Sequence, residues 1–359
     1  MEKNLQKWHF QAPSMANFFR KIIKAITAKQ DIRITAYRSY GTRDHLYQLG
    51  RALDDDDLVM EEDQSFRRTL INTYKQFDTD EVRGAEVALK LPNKAISTAT
   101  TNKEGYFLFD KRTSANLQAY ADDEGWVPLQ LSFVNEVRNS TIASNNRFNT
   151  ELLIPPATAK FGVISDIDDT ILKTGVTSFL KWRVVHNSLF KNAHNRISLE
   201  GAPQFYRQLH DGKTGSEQNP VFYLSNSPWN LYMYLKTFLE INDFPKGPVL
   251  LRDFRTPFDR SLKPEKPHKQ KEILNILKTY PNLNFILIGD SGEHDPRIYT
   301  DIAAQFPDRI LAIYLRSVKH RKKMERVHSI VDEFTTVPVV SVEKSKEAEE
   351  HAREQGFID

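Results

Sequence analysis

The stretch that most constrains this chain runs from Phe161 to Gly175, Phe-Gly-Val-Ile-Ser-Asp-Ile-Asp-Asp-Thr-Ile-Leu-Lys-Thr-Gly, where an apolar run ends in clustered carboxylates. A segment apolar on consecutive residues reads as a strand buried on both faces, as in a parallel sheet covered by helices. Crowding Asp166, Asp168 and Asp169 at its carboxyl end costs electrostatic repulsion that a bound cation would offset. Open parallel sheets bind ligands at those strand ends. The Asp-x-Asp spacing followed by Thr170 suits a nucleophile at Asp166 and a proton shuttle at Asp168, with Mg2+ between them and a phosphate.

The rest of the C-terminal half repeats the pattern. Pro155-Pro156 marks a boundary, after which apolar strands alternate with helical segments. Strands are expected at Phe161 to Ile164, Val221 to Leu224, Val249 to Leu251, Phe285 to Ile288 and Ile310 to Leu315, and helices at 229–241, 267–279 and 297–306. The expected fold class is α/β, a Rossmann-like doubly wound parallel sheet. Each strand delivers chemistry at its end: Ser225-Asn226-Ser227-Pro228, Arg252-Asp253, and Gly289-Asp290 followed by Asp295. A small hydroxyl in a turn before a helix can hold an anion on backbone N–H groups and the helix dipole.

Upstream, from Asp31 to about Ile154, short stretches alternate with period two between turn residues, which predicts an all-β sandwich. Residues 99–107 read as a hairpin turning at Asn102 and Gly105, similar to that of transthyretin-like sandwiches. The acidic run Asp54 to Asp57, with Glu61, Glu62 and Asp63, lacks the glycine and spaced ligands of an EF-hand loop and reads as a solvated loop. Residues 14–29 carry Met15, Phe18, Phe19, Ile22, Ile23 and Ile26 at helical spacing, an amphipathic helix with a basic polar face. Packing on a neighbouring domain is the ordinary use of such a face, and peripheral contact with an acidic membrane the functional one.

The balance of 50 Lys and Arg against 47 Asp and Glu, a net +3, argues against nucleic acid as a main partner. The absence of cysteine excludes disulfides, zinc thiolates and thiol nucleophiles. With no apolar run of about 18 residues and no signal-peptide pattern at the start, the expectation is a cytoplasmic protein. The expected organisation is an N-terminal helix over 1–30, the sandwich over 31–155, the α/β domain over 156–335 and a polar tail over 336–359, whose residues 342–359 read as a polar helix or a disordered end.

Taken in order, Asp166-Ile167-Asp168-Asp169-Thr170, Ser225, a lysine at a helix start and Gly289-Asp290 with Asp295 resemble the four motifs of the haloacid-dehalogenase-like phosphohydrolases. Ser225-Asn226-Ser227-Pro228-Trp229, Leu251-Arg252-Asp253, His268-Lys269 and Gly289-Asp290-Ser291-Gly292-Glu293 more narrowly resemble the catalytic domain of the actin-patch phosphatidate phosphatases of fungi, a domain also common in bacteria. Tyr40-Gly41-Thr42 with Gly50-Arg51 is similar to the segment preceding it in bacterial members.

The resemblance implies that Asp166 forms an aspartyl-phosphate and that Asp168 protonates the leaving alkoxide and then activates water. It implies Mg2+ held by Asp166, the backbone carbonyl of Asp168 and Asp290, with Asp295 supporting the metal shell. Thr170, Ser225, Asn226 and a lysine would bind the phosphoryl group. Lys269, at the start of the stretch Ile273, Leu274, Ile276 and Leu277, is the chosen lysine, and Lys266 the second choice.

In this superfamily an insert after the first motif caps the site, here residues 176–209. Phe179 and Trp182 among Lys181, Arg183 and Lys191 would suit a lipid phosphate, with Arg252 as a further substrate contact, or would simply pack the cap. The leading expectation is a Mg2+-dependent phosphatase converting phosphatidate to diacylglycerol. The alternatives are a phosphatase for a soluble phosphomonoester and a non-catalytic membrane or protein adaptor. The basic segment Lys319 to Lys323 with Arg326 could recruit anionic lipid or RNA phosphate, although a solvated helix face explains it as well.

Overall fold

A computed structural model describes residues 30–54, 81–137, 140–168, 170–171, 201–252, 267–291, 294–317 and 334–359. The amphipathic segment 14–29, the acidic run beyond Asp54, the cap segment up to residue 200, Lys266 and the basic segment 319–326 lie outside these residues.

The N-terminal half is β-rich: β1 (Gln30–Ala36), β2 (Ser39–Thr42), β3 (His45–Asp54), β4 (Glu86–Lys90), β5 (Ile96–Thr100), β6 (Tyr106–Arg112), β7 (Trp126–Phe133), β8 (Ser140–Ile142) and β9 (Phe148–Leu153). Alternation puts Leu46, Val87, Leu89, Phe107, Phe109, Leu129, Leu131 and Leu152 into one apolar core. The expected all-β character of this half holds, and its strands are not divided into separate hydrogen-bonded sheets. Hydrogen bonds link all nine strands into one sheet, in which β2 bridges the halves by pairing antiparallel with β3 and parallel with β9.

The expected hairpin over 99–107 is corrected. Its turn exists, with Gly105 N–H donating to Asn102 O at 3.0 Å, but β5 pairs with β4 and β6 with β3. Thr101 sets this divergence. Its hydroxyl donates to Val82 O at 2.8 Å and accepts from Ala85 N at 2.9 Å, holding the end of β5 to the β4 side.

The C-terminal half is a six-stranded sheet of β10 (Phe161–Asp166), β11 (Val221–Pro228), β12 (Val249–Arg252), β13 (Asn284–Asp290), β14 (Ile310–Arg316) and β15 (Val339–Val342). Every pairing is parallel, and the order is β12-β11-β10-β13-β14-β15. Counted within this sheet the order is 3-2-1-4-5-6, which reverses direction between β10 and β13 and opens a crevice at their carboxyl ends.

Helices cover both faces. Val163, Tyr223, Ile286 and Tyr314 point to one core with α1 (Ala202–Asp211), α2 (Tyr232–Ile241) and α5 (Ser345–Glu354). Their neighbours Ile164, Phe222, Leu287 and Ile313 point to the other with α3 (His268–Thr279) and α4 (Asp295–Gln305). This double burial is why the strands read as continuous apolar runs.

Two boundaries move. Residues 336–359 are not a polar tail: β15 pairs with β14, and Ala348, Ala352 and Ile358 are buried in the first core. The Glu and Lys content of the segment lies on the outer face of α5 and masks a narrow stripe of alanines. The expected cap over 176–209 also ends too late, because its last residues belong to α1, whose Ala202, Phe205, Tyr206 and Leu209 are buried against the sheet.

The two halves share their cores. Tyr37 stacks on Trp229 with ring centroids 4.1 Å apart, and Tyr40 packs edge-on against Phe222 and accepts a hydrogen bond from Asn275 Nδ2 at 2.6 Å. Arg51 lies over the Tyr106 ring and donates to Asn230 Oδ1 at 3.2 Å. Trp229→Ala, which would open a cavity in this shared core, is expected to lower the unfolding free energy by about 3–5 kcal/mol in urea denaturation.

Candidate active site

Asp166 and Asp290 end the neighbouring strands β10 and β13, so backbone register alone brings their carboxylates to the crevice. Asp295, the first residue of α4, completes the group, and oxygens of the three lie within 4.8 Å of one another, all buried. Gly289 makes this approach feasible. A Cβ there would stand 2.6 Å from Asp295 Oδ2 and 2.7 Å from the Tyr299 ring, so only glycine lets α4 sit this close to β13.

Lys269, the second residue of α3, reaches into the same space. Its ammonium is 1% exposed and lies 2.8 Å from Asp166 Oδ1 and 2.7 Å from Asp295 Oδ1. Burial pushes the Asp166 carboxyl well above the ordinary carboxylate range; the Lys269 ammonium opposes this, while Asp295 and Asp168 reinforce it. A second cation at the carboxylates would restore the ionised form. Three clustered carboxylates are a hard-oxygen donor set, and they fit a divalent ion of the Mg2+ type.

The other side is built by β10 and β11. The register of β11 on β12 shifts between Leu224 and Pro228, the segment that carries Ser225. Ser225 Oγ donates to Asp168 Oδ2 at 2.5 Å and accepts from Ser227 N at 2.9 Å. Thr170 Oγ1 donates to Asp166 Oδ2 at 3.3 Å. Behind the strand end Ser165 Oγ shares a 2.5 Å hydrogen bond with Tyr206 and donates to Asp166 O at 2.8 Å, fixing the backbone of the Asp166 turn.

Of the residues singled out in the sequence, Asp166, Asp168, Thr170, Ser225, Lys269, Asp290 and Asp295 therefore come together. Asn226 is half-buried beside Ser225, and Arg252 ends β12 with its side chain exposed. Phe179, Trp182 and Asp169 lie outside the described residues. Gly289 stands in the motif Gly289-Asp290 but was given no role of its own, and Tyr206 and Ser165 were not singled out by sequence reasoning.

His268 neighbours Lys269 and is mostly buried. Burial pushes its imidazole from 6.5 down to about 4, against a hydrogen bond to the Leu250 carbonyl. The arrangement places a carboxylate held by an ammonium, a second carboxylate held by a hydroxyl, and small donors around one crevice, a set able to attack and bind a phosphoryl group.

Residues 161–317 match the family model described as Phosphatidate phosphatase APP1, catalytic domain. Every residue of the crevice falls in that stretch. Phosphatidate phosphatase APP1 of Saccharomyces cerevisiae is 42% identical over 160 residues, 43% of this chain and 25% of that protein. An uncharacterized protein of Schizosaccharomyces pombe is 24% identical over 335 residues, 87% of this chain and 47% of that protein. The chain thus spans about a quarter to about half of the length of these curated relatives. The resemblance to an APP1-like catalytic domain is supported over the α/β half, and the second relative extends through most of the β-rich half.

Two outcomes follow from the buried charges. Lys269→Met would leave Asp166 and Asp295 uncompensated and is expected to cost about 3–5 kcal/mol in chemical denaturation at neutral pH. His268, with a folded value below its unfolded one, contributes stability that is complete above pH 6.5 and lost as pH falls toward 4. Stability curves of wild type and His268→Gln should differ in slope across that window, by about 3 kcal/mol in total.

Proposed function

We propose that this chain is a Mg2+-dependent phosphatase of the haloacid-dehalogenase-like type that hydrolyses phosphatidate to diacylglycerol and phosphate. The observation that carries the reading is the convergence of Asp166, Asp168, Ser225, Lys269, Asp290 and Asp295 at one sheet crevice inside the stretch matching an APP1 catalytic domain. The strand order 3-2-1-4-5-6 supports it as well.

Asp166 Oδ attacks phosphorus and the bond from phosphorus to the alkoxide oxygen breaks, giving an aspartyl-phosphate. Asp168 donates its proton to the departing alkoxide. In the second step Asp168 takes a proton from water, whose oxygen attacks phosphorus and releases the Asp166 carboxylate with inorganic phosphate. Ser225 orients Asp168 through its hydrogen bond. Lys269, Thr170, Ser225 and Asn226 then offer donors to the phosphoryl oxygens, where charge develops. Asp166, Asp290 and the Asp168 carbonyl, with Asp295 beside them, would hold Mg2+, which when bound supplies charge neutralisation and Lewis acidity.

The lipid assignment rests on the match to the APP1 catalytic-domain model and on the aromatic and basic residues of the segment expected to cap the site, with Phe179, Trp182 and Arg252 as proposed substrate contacts. A cytoplasmic enzyme touching the membrane peripherally would meet such a substrate. Among the described residues no helix is long and apolar enough to cross a membrane.

The test is phosphate release from short-chain phosphatidate and from a panel of soluble phosphomonoesters, with Mg2+ or EDTA. Wild type is expected to hydrolyse phosphatidate with Mg2+ and not with EDTA, and Asp166→Asn to lose more than about 1000-fold in rate. Turnover confined to soluble esters would sink the lipid assignment and keep the chemistry, and no turnover at all would favour an adaptor.

A further inference from the structure

Arg316 ends β14 as Asp166 and Asp290 end β10 and β13, and it pairs with Asp290 in the register of the two strands. It follows Tyr314 by two residues and so lies on the α1 face of the sheet, half-buried. There it lines a pocket of about 40 Å³ with Thr170, Tyr206, Tyr314 and Ser345. Lys269 reaches Asp166 from the opposite face, on α3.

Among the described residues no carboxylate stands at ion-pair distance from this guanidinium, and Glu343 on the pocket wall is exposed. Burial pulls the Arg316 pKa below the ordinary arginine value. A guanidinium drawn out of water with no counter-charge is unfavourable, and a bound anion would offset that cost.

Two hydroxyls connect the pocket to the crevice. Thr170 Oγ1 donates to Asp166 Oδ2, whereas Asp166 Oδ1 faces Lys269. The Tyr206 hydroxyl, held by Ser165, lies within electrostatic reach of both the Asp166 carboxylate and the Arg316 guanidinium. The volume is that of about one or two waters, so the pocket can admit an oxygen of a bound anion and no acyl chain.

We infer that Arg316 is a further phosphate-binding cation of this crevice, its guanidinium taking an oxygen of the phosphoryl group from the α1 face while Lys269 holds the group from the other. This role rests on the phosphatase reading. A planar, permanently charged donor at that place would meet the oxygens on which charge develops.

The experiment titrates the full chain with inorganic phosphate in the presence of Mg2+, by calorimetry, and measures turnover of phosphatidate and of soluble phosphomonoesters. Wild type is compared with Arg316→Gln, Arg316→Lys and, as a control on α4, Arg297→Gln, whose side chain is exposed. The phosphate Kd is expected to rise at least about tenfold in Arg316→Gln and to stay unchanged in the control. Arg316→Lys, which keeps the charge without the planar fork, should fall between. The melting temperature of Arg316→Gln should not drop, since no ion pair is lost; if it drops, the lysine variant decides, and an unchanged Kd there counts against the role. An unchanged Kd in Arg316→Gln, an equal loss in Arg297→Gln, or no phosphate binding by wild type overturns it. Phosphate binding that depends on Arg316 in a chain that hydrolyses no ester supports the role and sinks the phosphatase reading instead.

Discussion

Three carboxylates and one ammonium held out of water at the reversal of a parallel sheet are the constraint to which the C-terminal half answers. At 4.8 Å, two like charges repel by about 3–4 kcal/mol even with an effective dielectric near 20. Lys269 offsets part of this by touching two of the three. The remainder must be borne by the scaffold, and strands buried on both faces are stiff enough to bear it. Asp166 and Asp290 cannot swing apart without breaking the pairing of β10 with β13.

The same geometry explains why the crevice uses so many short side chains. Ser225, Thr170 and Ser165 each place a hydroxyl against an aspartate with few rotatable bonds. Gly289 removes a side chain altogether so that an acidic helix start can lie on the strand. Tyr206, packed behind β10, closes the polar system on the inner side, and burial raises its hydroxyl above the usual tyrosine range. Little in this cluster can relax independently.

Much of this was legible in the sequence because the doubly buried strands leave continuous apolar runs, and the residues after them stand out by contrast. Lys269 was selected from a crowded segment by its place at the start of an amphipathic helix, and the structure brings its ammonium to Asp166. What the sequence hid was long-range pairing. Nothing local says that β5 leaves β6 for β4, or that β2 joins the two ends of the N-terminal sheet. The last strand and the packing of the last helix were hidden by composition, since two buried alanines in a charged helix give a faint stripe. The boundary at α1 was hidden by continuity, because a helix that covers the sheet and one that covers a ligand are apolar in the same way.

Arg51 is the residue of β3 that crosses to Asn230, and Tyr37, following β1, stacks on the tryptophan next to it. These two contacts grip the short segment between Ser225 and the first turn of α2 from outside the α/β half. The β-rich half is thus a brace. Twisting it against the sheet would transmit torque to the backbone that aims Ser225 at Asp168. A change at Tyr37 or Arg51 would therefore reach the backbone of a crevice whose reactive groups, among the described residues, all come from the other half.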